Sequence, residues 1–242
     1  MDIVTETVAW FQDPASWTGS DGIPLRLAEH IGISAAALVI ALAIALPIGL
    51  FIGHTEQGAR LAVGLANLGR AVPTLAVMGI VAPFTTLIDP SLGFIVYPVV
   101  IAMVLLAIPP ILVNAYAGIH EVDRDLVEAA RGMGFQERQI LLRVELPVAV
   151  PVVLGGIRSA SVQILATATL GAIFGFGGLG RFLVDGIAQQ DDGQTWGGVV
   201  LVASLVLLSE SAFALAQRRL TSRGLRVAAR PGATAAPTVA TA

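Results

Sequence analysis

Five apolar stretches, each about as long as a bilayer is thick, constrain this chain more than anything else in it. They run from about Leu27 to Ile52, Ala59 to Pro83, Leu92 to Ala115, Val148 to Ile173 and Trp196 to Ala216. Roughly 20 apolar residues in a helix cross the ~30 Å of hydrocarbon, and a helix satisfies its backbone groups without water. The pattern predicts an all-α polytopic membrane protein with five transmembrane helices. A mean hydropathy of +0.82 sets the chain apart from ordinary soluble domains. Pro24 opens the first span, and Pro47 with Gly49 is expected to kink or thin it. Arg70 and Pro73 interrupt the second span, and Pro109-Pro110 should loosen the inner half of the third.

Residues 1–26 form a polar, acidic amino-terminal segment carrying Trp10, Phe11 and Trp17. It lacks the basic stretch that begins a signal peptide, so no cleavage is expected. Val4, Val8 and Phe11 either form one face of a short interfacial helix or belong to a loosely ordered tail. The tryptophans suit the headgroup level. Residues 27–216 make the membrane domain, and 217–242 a tail that reads as disordered at its end.

The arginines set the orientation. All 14 basic residues are arginine. Arg60, Arg124, Arg131, Arg138, Arg143, Arg218, Arg219, Arg223, Arg226 and Arg230 fall on one side of the five spans, and only Arg26 and Arg181 on the other. Basic residues accumulate in the cytoplasm, which puts the amino terminus outside and the carboxyl terminus inside. Several function classes drop out. The chain has no cysteine, so it offers neither a disulfide nor a cysteine-based metal site. A net charge of −3 argues against a nucleic-acid partner. His30, His54 and His120 are too scattered to serve an intramembrane enzyme, and no metal site is expected. No nucleotide-binding Walker motif is present, so any ATP and magnesium would be bound by another subunit.

The longest charged passage, Glu121 to Pro147, lies within an inner loop over residues 120–147. Glu121, Asp123 and Asp125 load the start of a helix, where the positive end of its dipole favours acids. Leu126, Ala129, Ala130 and Met133 recur at helical spacing and give one apolar face. Gly132 and Gly134 should end that helix, because glycine readily turns left-handed. A second helix is expected from Gln136 to Val144, and Pro147 then opens the next span.

The order Glu128-Ala129-Ala130, three residues, Gly134, nine residues, Val144-Glu145-Leu146-Pro147 resembles the EAA loop of ABC-transporter permeases. The resemblance implies a type I importer permease fold and a coupling helix seated on a cytoplasmic ATPase subunit. Glu128, Ala129, Ala130, Gly134, Leu146 and Pro147 are the implied coupling residues. Small alanines allow close approach, and flanking charges fix register. Further segments extend the likeness over residues 30–216: Pro109-Pro110-Ile111, Asn114, Gly118-Ile119 and Val122-Asp123 before the loop, then Gly156-Ile157-Arg158, Ala168-Thr169-Leu170 and Gly177-Gly178-Leu179-Gly180 after it. Together they are similar to the permeases of glycine betaine, choline, carnitine and proline betaine importers. Methionine-type permeases share the loop but differ at Asn114 and at Gly156-Ile157-Arg158. The Pro109-Pro110 pair stands where many relatives have Leu-Pro. The family implies two permease subunits, identical or paralogous, two ATPases and an extracytoplasmic binding protein, in a bacterial plasma membrane. A receptor or scaffold without transport would keep the loop but need no lined path.

Inside the spans, Arg70, Arg158 and Glu210 fall at similar depths by helical rise. They either pair as a structural network or act along the solute path. Ser159, Gln163 and Thr167 recur every four residues, and with Asn114 they either line a wet path or bond to neighbouring helices. Gly177, Gly178 and Gly180 either form an outer gate or simply make a turn. Aromatics are only 6% of the chain and scattered, so a cation–π cage within one chain is not expected. The topology has a direct test against a cysteine-free background. Cysteine introduced at Asp89 or Gln190 should react with an impermeant thiol reagent from outside, and cysteine at Gln136 should not. Reversed labelling would overturn the orientation.

Overall fold

The computed structural model describes residues 2–69 and 72–220. Among these, the helices in order are α1 (Ile3–Gln12), α2 (Ile23–Thr55), α3 (Ala59–Gly69), α4 (Thr74–Ile88), α5 (Tyr97–His120), α6 (Arg124–Gly132), α7 (Glu137–Ile140), α8 (Leu146–Thr167), α9 (Gly180–Gln189) and α10 (Asp192–Leu220). Four described stretches are long and apolar enough to cross a membrane: α2, α5, the run from Glu137 to Phe174, and α10.

The expected second span is two helices. Its second piece, α4, starts after Pro73 and runs to Ile88, beyond the expected end at Pro83. Proline cannot donate its missing N–H and disfavours helix in the residue before it, so the break falls there. With 15 residues, α4 is an apolar helix shorter than the others, about 23 Å at ~1.5 Å per residue. Arg70 lies outside the described residues. Pro109-Pro110 does not interrupt its helix, since α5 is continuous from Tyr97 to His120. The Asn114 amide donates to the Pro110 carbonyl at 2.8 Å, within the same helix.

The bundle is built around α5, which packs against α2, α3, α4 and α8. Ile33, Ala37, Ala41 and Ala45 recur every four residues along α2 and are buried. They join one core with Val99, Met103, Ala107 and Ile111 of α5, Ala160 and Ile164 of α8, and Ala168 just beyond it. Lipid supplies no hydrophobic drive between helices, so close packing by small residues holds such contacts. Gly49 and Gly156 show how close. A Cβ on Gly49 would lie 2.7 Å from Ala115 Cβ, and one on Gly156 would lie 2.6 Å from the Pro110 carbonyl oxygen.

The amino-terminal segment is a helix, α1, packed on α10. Trp10 makes edge-on contacts with Phe11 and Phe182, with ring centroids 5.0 and 5.2 Å apart. The Trp17 indole N–H donates to the Phe11 carbonyl at 2.8 Å. Some aromatics thus do cluster, but they fasten α1 to α9 beside the buried Ile23 and Leu179 rather than form an open cage. Ile3, Val4 and Val8 remain exposed on α1. Between α4 and α5, the Asp89 carboxylate accepts from the Ser91 hydroxyl and the Ser91 and Leu92 N–H groups. These bonds, the Ser91 hydroxyl foremost, hold its pKa down to about 2 and fix the turn.

The exposed faces of the bundle divide by polarity. Val39, Ile40, Ile44 and Ile48 of α2, Ile80, Phe84, Leu87 and Ile88 of α4, and Leu207, Leu208 and Leu215 of α10 are exposed. From Leu142 to Ile173, no large apolar side chain lies exposed between those two residues. The first three faces suit lipid. The open face of α8 does not.

Candidate functional site

The charged loop over residues 120–147 is a small folded unit. Asp123 caps α6, its carboxylate accepting from the Asp125 N–H at 3.0 Å. The helix ends where Gly134 turns left-handed, at φ +86°. Gly134 N–H then bonds to the Arg131 carbonyl and Phe135 N–H to the Ala130 carbonyl, closing the end of the helix. Val122, Val127, Ala130 and Ile140 are buried together, with Phe135, Val144 and Val148 packed around them.

This corrects the expected apolar face. Leu126, Ala129 and Met133 point outward and are exposed, as is Glu128, whereas Val127 and Ala130 face inward. The loop therefore offers Leu126, Ala129 and Met133, with Glu128 beside them, as a surface. Ala130 supports it from beneath.

A second correction concerns Pro147. It does not open a new helix, because α7 continues through a π-helical turn, Leu141–Glu145, into α8. The widened turn, with Leu146 N–H bonded to the Leu141 carbonyl, directly precedes the residue that cannot donate. Leu146 and Pro147 thus sit within one rod running from the loop to Phe174.

That rod is tied to α2. Arg131 grips Glu137 through two hydrogen bonds of 2.8 and 3.0 Å. Glu137 also lies 3.1 Å from His54 Nε2, and His54 Nδ1 lies 2.6 Å from Glu145. At the other end of the loop, Glu56 pairs with Arg124 and lies 3.5 Å from His120. Both ends of the loop are thereby fixed to the carboxyl-terminal end of α2. Sequence reasoning missed His54 and took Glu145 for an unspecified motif position. One signal was present: a carboxylate flanked by Val144 and Leu146 needs a partner, and His54 ends an apolar span.

One face of α8 carries the exposed Ser159 with Gln163 beside it, a 3.4 Å contact joining amide and hydroxyl. Arg158 and Glu210 form an ion pair there, each about a third exposed. A cleft of about 400 Å³ lies between α8 and α10, lined by Gly155, Arg158, Ser159, Gln163, Glu210 and Gln217. Thr167 lies one helical step farther along, at the end of α8. Asn114 is placed elsewhere, in the seam where Gly156 meets α5. Ser161 is turned inward, its hydroxyl bonded to the Ile157 carbonyl at 2.8 Å.

The glycine loop before α9 is held by α2. Gly178, at φ +78°, donates its N–H to the Glu29 carboxylate at 2.7 Å. Glu29 in turn accepts from Arg26 at 2.9 Å. The Leu179 N–H faces His30 Nδ1 at 3.3 Å, and His30 Nε2 faces the Leu165 carbonyl at 3.0 Å. An imidazole that donates from Nε2 and accepts at Nδ1 satisfies both contacts. Gly177 lies against the Glu29 carboxylate, and Gly180 against the Thr169 carbonyl. Three helices thus converge on this loop: α2, α8 and α9. Neither Glu29 nor His30 was singled out from the sequence as its partner.

The His54–Glu145 pair makes a stability test. Both side chains are buried, at 10% and 6% exposure. His54→Leu should destabilise the detergent-solubilised protein by about 3–5 kcal/mol, as when one partner of a buried pair is removed. Adding Glu145→Leu should recover much of that loss. Additive losses in a thermal-denaturation double-mutant cycle would show that the two are not coupled.

A family model described as "Binding-protein-dependent transport system inner membrane component" matches residues 45–226. The chain is 33% identical over 204 residues to the carnitine transport permease protein OpuCB of Listeria monocytogenes, covering 84% of this chain and 90% of that one. It is 32% identical over 198 residues to the choline transport system permease protein OpuBB of Bacillus subtilis, covering 82% and 88%. Among solved structures, an inward-facing MetNI methionine ABC transporter matches with a TM-score of 0.72 at 23% identity, covering 81% of this chain and 94% of that one. At that identity the structural likeness speaks to the fold alone.

Proposed function

This chain belongs to the family of binding-protein-dependent transport system inner membrane components, and on that premise we propose that it is the permease subunit of an ATP-driven osmoprotectant importer. Its solutes are glycine betaine, choline, carnitine or proline betaine. The carnitine and choline permeases that it resembles over more than four-fifths of its length support that solute class above a methionine-type one. It is a multi-pass protein of the plasma membrane. The arrangement has five crossings, with α3 and α4 together making the second, the amino terminus outside and the inner loop in the cytoplasm. The excess of arginines around that loop supports this orientation. ATP hydrolysis belongs to two cytoplasmic ATPase subunits. A second permease subunit and an extracytoplasmic binding protein complete the importer.

The observation that carries the reading is the polar open face of α8 in a bundle whose other exposed faces are apolar. Ionisable groups in a membrane normally face water or protein, so Arg158, Ser159, Gln163 and Glu210 turn toward a wet path or a second permease. Coupling then follows from connectivity. Closure of the ATPases moves α6, whose exposed Leu126, Ala129 and Met133 form the seat. The loop's ties to α2 through His54 and Glu56, and its continuity with α8, carry the motion into the helices around the path. At the outer end, the Glu29–Gly178 and His30–Leu179 contacts hold the loop that opens and closes the mouth.

Uptake of radiolabelled glycine betaine, choline and carnitine by cells carrying the whole importer tests this. At least one solute should accumulate in an ATP-dependent manner. Glu128→Arg reverses a charge on the seat, and Gly134→Val forces a side chain into a left-handed backbone at a cost of roughly 1–2 kcal/mol. Both should abolish uptake while the protein still reaches the membrane. Unchanged uptake in both variants would contradict the coupling role.

A further inference from the structure

The Arg158–Glu210 pair differs from the Arg131–Glu137 pair. Arg131 binds Glu137 through two nitrogens and both oxygens. Arg158 and Glu210 share one hydrogen bond, from Nη2 to Oε1, and both side chains remain about a third exposed to the cleft between α8 and α10. Glu210 lies ten residues before Leu220, the last described residue of α10. At ~1.5 Å per residue that is about 15 Å from the helix end, within the apolar stretch from Trp196 to Ala216. An ion pair made only for stability gains from closure on all sides. This pair instead forms one wall of a cleft of about 400 Å³, with the Ser159 hydroxyl and the Gln163 amide beside it.

We propose that this cleft is a solute-binding site for zwitterions that carry a quaternary ammonium and a carboxylate, and that Arg158 and Glu210 exchange each other for the two ends of the solute. The solute carboxylate takes the guanidinium fork, whose planar donors match a carboxylate in a two-point contact. The ammonium approaches the Glu210 carboxylate. No aromatic side chain lines the cleft, so the ammonium is recognised by charge rather than by a ring face. The exchange keeps every charge compensated. Before binding the two side chains neutralise each other, and with the zwitterion in place each faces an opposite charge. When the solute leaves, the original pair re-forms. A bare cation such as choline would satisfy Glu210 but strand Arg158, and a bare anion would do the reverse. Re-formation of the pair also drives release, as a path that must let its solute go requires.

This inference rests on the reading of the chain as a betaine-type permease. It is tested by solute binding to the permease–ATPase complex in lipid nanodiscs without binding protein, followed by saturation-transfer NMR. Three probes of similar shape are compared: glycine betaine, choline, and 3,3-dimethylbutanoate, in which a carbon replaces the ammonium nitrogen. The intact complex should bind glycine betaine roughly tenfold more tightly than either singly charged probe, the scale of one charge-assisted contact. Arg158→Gln should erase the preference over choline, Glu210→Gln the preference over the butanoate, and the neutral double variant both. A purely structural pair predicts that all three affinities fall together, and the double variant then recovers them. Equal affinities in the intact complex, or ratios that the variants leave unmoved, would overturn the site while glycine betaine uptake by the whole importer left the functional reading intact. Failure of the whole importer to take up any quaternary amine would sink both.

Discussion

Hydrocarbon will not accept an ion without its counterpart, and the organisation of this chain depends on that. Charged groups on its long helices are tied to partners: Arg26 and His54, at the two ends of α2, to Glu29 and Glu145, and Arg158, within α8, to Glu210. Each tie joins parts that must keep register. The first supports the outer loop through the bond from Glu29 to Gly178. The second locks the inner loop to α2. The third spans α8 and α10 where the bundle is open. On the proposed reading, stability and transport are served by the same contacts, because the places that must stay polar for a solute are those that must be compensated for the fold.

The helices around these ties are held differently. The core of α2, α5 and α8 is made of alanines and medium-sized aliphatic residues in four-residue register, with Gly49 and Gly156 allowing backbones to approach. Packing of that kind is short-ranged and gives rigid contacts. On the proposed reading, a rigid α5 flanked by α2 and α8 turns movement at the loop into movement of whole helices. The π-helical turn before Pro147 serves the same end, since it lets the loop and α8 remain one rod despite a missing donor.

Much of this was legible in the sequence, for identifiable reasons. Hydropathy located the long spans because membrane helices need continuous apolar length, though helix boundaries moved by several residues, as where α2 runs from Ile23 to Thr55. The second span was misjudged in form, because Pro73 ends a helix that hydropathy alone continues. The spacing of Glu128, Ala129, Ala130 and Gly134 marked the loop, but periodicity could not tell which apolar face turns inward. Leu126 and Val127 are adjacent and both apolar, and only the fold of Phe135 and Ile140 against Val127 decides between them. Depth arithmetic put Arg158 and Glu210 at comparable heights, and the structure joins them. The partners of the outer loop stayed hidden, since Glu29 and Gly178 are separated by 149 positions and no local pattern links them.

The central claim is that the open face of α8 lines an aqueous solute path while the apolar faces of α2 and α10 meet lipid. Single cysteines along these helices test it most directly, in membrane vesicles that carry the whole importer and are treated with a small water-soluble thiol reagent. Cysteine at Ser159 or Gln163 should be modified rapidly, and saturating solute should slow the reaction. Cysteine at Ile44 or Leu208 should stay unmodified. Rapid modification at Ile44 and Leu208, with Ser159 and Gln163 inert, would contradict the account.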